Sequence, residues 1–175
     1  DYSFNAVTLF YEKDSRSFDF TIHDEAGKKL GAISGTDSDS LPYRTRVEWS
    51  HPVKAIDIRN RKKKDGQSRA IIYGAVLENS KSGVLYHTIG VNGARFKHYN
   101  AARRFAPHAA ALKPDLFIIS LGTNESIDYP NIDKTLPSQI DTFLSSLRAQ
   151  CPDAVFILVT PQDVFRMKNK SNPGI

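Results

Sequence analysis

Gly83-Val-Leu-Tyr-His-Thr-Ile-Gly90-Val-Asn-Gly93-Ala94 and Asp115-Leu-Phe-Ile-Ile-Ser-Leu-Gly122-Thr-Asn124-Glu125 share one layout, an apolar run that ends in a glycine turn. A third run, Ala154-Val-Phe-Ile-Leu-Val-Thr160, ends in Pro161-Gln162-Asp163. Between the runs lie helix-favouring stretches at 100–105 and 107–112, with Pro107 opening a new turn. A longer amphipathic stretch follows, with Pro137 early and Ile140, Phe143, Leu144 and Leu147 at helical spacing, stopped by Cys151-Pro152-Asp153. Apolar strands that alternate with helices predict a parallel sheet covered on both faces, with strands at about 84–89, 115–121 and 154–160. Ligands of such sheets bind at the carboxyl ends of the strands, where both glycine turns and Asp163 fall.

Upstream of Gly83 the pattern differs. Runs at 5–12, 18–23, 45–49 and 55–59 are rich in β-branched and aromatic residues and are broken by Lys13-Asp14-Ser15, Ala26-Gly27-Lys28 and Asp65-Gly66. Short strands at this spacing predict an antiparallel, jelly-roll-like β module over 1–82, followed by an α/β domain over 83–175.

Composition is that of a globular protein, 40% hydrophobic and 25% charged, with a net charge of +5. The basic excess centres on Arg59-Asn-Arg61-Lys62-Lys63-Lys64, which lacks interleaved aromatics and reads as a solvated hairpin tip, not a nucleic-acid site. No run approaches the roughly 20 apolar residues of a membrane-spanning helix. Cys151, the single cysteine, excludes an internal disulfide and a cysteine-based metal site, and neither metal-ligand spacing nor a phosphate-cradling glycine loop is present. Trp49 and Tyr43 are the sugar-stacking candidates of the β module, and Trp49, a lone tryptophan there, reads as core.

Gly93 and Asn124 are suited to one chemistry. When an acyl carbonyl is attacked its oxygen gains negative charge, and fixed N–H donors aimed there lower the barrier. A glycine lets the backbone approach the reacting group, and an asparagine amide offers two donors with no charge to desolvate. Ser126 reads as a local hydrogen-bonder, and His98 and Tyr99 as residues that pack the start of the following helix.

These segments resemble the SGNH (GDSL-like) hydrolases, serine esterases marked by four short blocks. Gly93, in Thr88-Ile-Gly-Val-Asn-Gly-Ala, matches the second block, whose glycine points a backbone N–H at the oxyanion. Gly122-Thr123-Asn124-Glu125 matches the Gly-x-Asn-Asp of the third block, with Glu125 in place of Asp. The wording from Gly83 to Asp163 is most similar to bacterial cell-envelope members that carry a β-sandwich module. The resemblance implies a three-layer α/β hydrolase core, cofactor-free hydrolysis of an O-acetyl ester on a carbohydrate or on peptidoglycan glycan, and a periplasmic or secreted location. It assigns Gly93 and Asn124 to the oxyanion hole and leaves Asp163 as a substrate-contact candidate.

The first block, Gly-Asp-Ser, and the last, Asp-x-x-His, have no matching copy. Gly35-Thr-Asp37-Ser38 carries a spare residue, and Ser38 reads as part of an exposed loop. None of His23, His51, His87, His98 and His108 has an aspartate three residues upstream. The expectation is therefore an internal piece of an esterase, inactive alone, whose nucleophilic serine and catalytic histidine lie elsewhere. The alternative is a carbohydrate-binding module on an inactive hydrolase-like scaffold. The sequence sets no oligomeric state.

Overall fold

The computed structural model describes residues 2–36, 44–79, 81–128 and 131–161. The chain is mixed α/β and divides into two compact units, Asp1–Tyr86 and His87–Ile175.

Among its described residues the first unit holds six strands: β1 (Phe4–Tyr11), β2 (Asp19–Asp24), β3 (Lys29–Ile33), β4 (Arg44–Val53), β5 (Ile56–Arg61) and β6 (Ile72–Glu78). They form two antiparallel three-stranded sheets, in the orders β4-β1-β6 and β3-β2-β5. Alternation along β1 sends Val7, Leu9 and Tyr11 to one face, where they meet Phe20 and Ile22 of β2, Ile33 of β3 and Trp49 of β4 in a shared core. Trp49 is 9% exposed and sets its ring edge-on to Phe4, so its reading as core holds.

The basic run is not a hairpin tip. β5 pairs with β2 whereas β6 pairs with β1, so Arg59 to Arg61 end β5 and Lys62 to Lys64 open a connection that crosses from one sheet to the other. What organises the crossing is polar. Asp19, nearly buried, binds the Lys63 ammonium at 2.8 Å and accepts from the Gly35 N–H at 3.1 Å and the Gln67 amide at 3.2 Å. Gln67 in turn donates to the Ser17 carbonyl and accepts from the Lys63 and Lys64 N–H groups. Burial opposes charge on Asp19, yet Lys63, Gly35 and Gln67 together hold its carboxyl below the ordinary value.

The second unit contains α1 (Phe96–Ala101), α2 (Phe105–Ala111), β7 (Leu116–Ser120), α3 (Thr123–Ser126), α4 (Leu136–Gln150) and β8 (Val155–Val159). β7 and β8 pair in parallel, with Phe117 opposite Phe156 and Ile119 opposite Leu158. The face bearing Phe117, Ile119 and Phe156 packs on Phe143 and Leu147 of α4, together with Phe96 of α1 and Ala109 of α2. Leu116, Ile118, Val155, Ile157 and Val159 share the opposite face and are exposed, so among the described residues helices cover one side of this sheet.

The strand expected at 84–89 is not formed. Val84 is 95% and Tyr86 80% exposed, and no described strand pairs with the segment. A pleated run becomes a strand only when a neighbour takes up its N–H and C=O groups, and the parallel sheet here consists of β7 and β8 alone among the described residues.

The Asp19 network predicts an acid-sensitive β unit. Because the folded state holds the carboxyl below its unfolded value, this contribution is full above about pH 4. It is lost as pH falls through the folded value. Asp19→Asn should lower stability at neutral pH by about 1–3 kcal/mol, as expected for a buried, charge-assisted hydrogen bond. The same variant should lose less than the parent on acidification. Fluorescence of Trp49, the single tryptophan, reports this unit during denaturant titrations at pH 7 and pH 3; equal acid losses in parent and variant would refute the assignment.

Candidate active site

β7 ends in a turn that only glycine suits. Gly122 has φ +117°, and a Cβ placed there would stand 3.3 Å from Pro161 Cγ, just beyond β8. The chain then makes a single helical turn, α3, in which Asn124 is half-buried and Glu125 is 6% exposed. Ser126 donates its hydroxyl to the Thr123 carbonyl at 2.7 Å, the local role expected of it.

The other glycine turn precedes α1. Gly93 has φ +76°, and the Ala94 N–H closes the turn onto the Val91 carbonyl at 3.0 Å. A Cβ at Gly93 would meet nothing within 4 Å, so the backbone angle, not crowding by the protein, requires glycine here. His98 Nδ1 accepts the Arg95 N–H at 3.1 Å, which caps the helix start. Tyr99 packs its ring on Phe105 and Phe143 and donates its hydroxyl to the Ile89 carbonyl. His98 therefore caps the helix start, and Tyr99 packs it.

Three side chains of the α3 segment reach three consecutive residues after Gly93. Asn124 Nδ2 donates to the Ala94 carbonyl at 2.8 Å. Glu125 Oε1 accepts the Phe96 N–H at 2.8 Å. The Arg95 guanidinium pairs with Asp128, and that hydrogen bond, with the Asp128 and Glu125 charges, raises the Arg95 pKa above its ordinary value. The structure thus sets the Asn124 amide against the residue that follows Gly93. Asn124 Nδ2 has two hydrogens and the Ala94 bond uses one, which fixes the rotamer. An exposed glycine turn beside a fixed amide donor can present N–H groups to an anionic oxygen.

Sequence reasoning missed the partners that hold this pair. Glu125 stood out only as a departure from Asp, and its bond to Phe96 spans 29 residues. Its second oxygen, Oε2, is buried without a hydrogen-bond partner among the described residues, an arrangement that costs about 1–3 kcal/mol. The usable signal was the order of residue types, an amide followed directly by a carboxylate on the turn after a strand.

Other candidates have local roles or fall outside the described residues. Asp163, Ser38 and Tyr43 fall outside the described residues. His23 bonds Gly27 and Thr21 within the β unit. His108 lies in α2, where burial and then the Arg104 charge hold its imidazole below the ordinary value. Cys151 is buried at the end of α4, where burial pushes its thiol up. Among the described residues no three His, Cys, Asp or Glu side chains gather as a metal site, and no helix is long and apolar enough to cross a membrane.

No curated protein matches the sequence. A solved structure of a peptidoglycan O-acetylesterase superposes with a TM-score of 0.62 at 20% sequence identity, over 88% of this chain and 39% of that one. At that identity the likeness is one of fold, and the present chain spans well under half the length of that structure. Residues 59–174 match the GDSL-like Lipase/Acylhydrolase family. That match takes in both glycine turns and more than half of the chain, which belongs to this family of SGNH-type hydrolases.

Proposed function

We propose that the complete protein is a serine-dependent esterase that removes O-acetyl groups from a carbohydrate, peptidoglycan glycan foremost, with Gly93 and Asn124 forming its oxyanion hole. The observation that carries this reading is the Asn124 amide held 2.8 Å from the Ala94 carbonyl, directly after the left-handed Gly93. Family membership and the likeness in fold to a peptidoglycan O-acetylesterase support the reaction class and the substrate.

In the reaction a serine Oγ, from the family's first block, attacks the acetyl carbonyl while a histidine, from its last block, takes the hydroxyl proton. The carbonyl π electrons move to oxygen, and the Gly93 N–H and the second Asn124 Nδ2 hydrogen receive that charge. Collapse expels the sugar oxygen, which takes the proton from histidine, and water then releases acetate from the acyl-serine. No cofactor takes part. Asp163, four residues past the end of β8 in sequence, contacts the substrate. The hydrolase core is a three-layer α/β arrangement preceded by a jelly-roll-like module, and the enzyme works in the periplasm or outside the cell. The present segment, with oxyanion donors but neither nucleophile nor base, has no turnover of its own. Nucleic acid is not a partner.

Asn124→Ala in the complete protein should lower kcat by about 10²- to 10³-fold with the fold intact, the usual result of deleting one oxyanion donor. Steady-state hydrolysis of an acetyl ester, with circular dichroism as the folding control, measures it. Near-normal kcat in a folded variant would make the match to the third block coincidental.

Gly93→Ala tests the second donor. The left-handed backbone should cost about 1–2 kcal/mol of stability. Since the new methyl group points into open space beside the turn, kcat should fall through obstruction of the acyl group more than through loss of the N–H. A melting temperature lowered with kcat unchanged would remove Gly93 from the site.

A further inference from the structure

We infer that Glu125 is a positioning residue, which with Asn124 forms a two-point clasp that sets the Gly93 turn in register with the Asn124 amide. The role rests on the oxyanion-hole reading and deepens it.

The clasp has a polarity that follows from residue chemistry. Ala94 offers a carbonyl and is met by an amide donor, while Phe96, two residues on, offers an N–H and is met by a carboxylate oxygen, each at 2.8 Å. The two side chains come from consecutive positions on one helical turn, so their spacing matches backbone groups two residues apart. The Phe96 N–H is in the first turn of α1, where it has no acceptor within the helix, and Glu125 supplies one from another element. The target is rigid, because the Phe96 ring is buried and packs edge-on against Phe143. Neither partner can slide without breaking both bonds.

The carboxylate is used through one oxygen. Oε2 is buried and has no hydrogen-bond partner among the described residues, whereas buried polar atoms in folded proteins nearly always have one. Reach is also specific. Aspartate is shorter by one C–C bond, about 1.5 Å, enough to carry a 2.8 Å contact past hydrogen-bond range.

The test uses the complete protein with Glu125→Ala, Glu125→Asp and Glu125→Gln. Two quantities are read for each: hydrogen exchange of the peptide containing Phe96, and kcat and KM on an acetyl ester. Glu125→Ala and Glu125→Asp should speed exchange at Phe96 and lower kcat at least tenfold, in line with the roughly 10²-fold loss that a misplacement of about 1 Å can cause. KM should stay within about threefold, because the defect falls on the transition state. Glu125→Gln keeps an acceptor oxygen of the same reach and should restore both readouts to within about fivefold of the parent.

Lost protection at Phe96 with unchanged kcat would overturn the positioning role, and so would a Glu125→Gln variant no better than Glu125→Ala. Should Glu125→Ala fail to fold, the folded Gln and Asp variants decide the matter by their difference. Failure of the oxyanion reading is told apart by Asn124→Ala: full activity there removes the reading itself, whereas a damaging Asn124→Ala beside a silent Glu125→Ala removes only Glu125.

Discussion

Burial of Phe143 and Leu147 beneath β7 is the constraint from which the candidate site follows. That cluster also takes in Ile119, three residues before Gly122, and Phe96, three residues after Gly93. Both glycine turns therefore leave from backbone anchored to one core. Burying a large apolar side chain contributes about 1.5–3 kcal/mol, and a typical hydrogen bond about 0.5–1.5 net. The apolar contacts decide that the two turns meet. The bonds from Asn124 and Glu125 decide in which register they do so.

The same division explains what the sequence disclosed. The length and apolar spacing of α4 mark it as a helix with an early proline, and the short apolar runs of β7 and β8 mark strands. Each is set by local pattern. β3 escaped notice because Lys29-Leu-Gly-Ala-Ile33 is short and interrupted by Gly31, whose missing Cβ leaves room for the Val47 side chain. α3 is a single turn, too short for helical periodicity to register. The segment at 84–89 misled in the opposite direction, since its composition suits a strand and yet a strand exists only through its neighbour. The path of Arg59 to Lys64 was likewise set by pairing partners far along the chain.

For the site, residue identity was legible and geometry was not. Gly93 and Asn124 could be picked out because their residue types suit one task at one kind of place, the end of a strand. Nothing local to Glu125 says that it reaches Phe96, for the two are joined by a fold and not by spacing. In the sequence it stood out only as a departure from aspartate, whereas in the structure the longer side chain makes the contact.

A comparison of glycines shows why motif letters need this physical reading. Gly35, in the stretch nearest to a nucleophile block, donates its N–H to the buried Asp19, and a Cβ there would collide with the Phe18 carbonyl. Its presence is explained by close backbone packing within the β unit. Gly93 differs in both respects: its φ is positive, and the space a Cβ would fill is open. One glycine closes a packed interior and the other opens a surface turn beside a fixed amide. Only the second arrangement leaves room for a reacting group, so the two halves of the chain use the same residue for opposite ends.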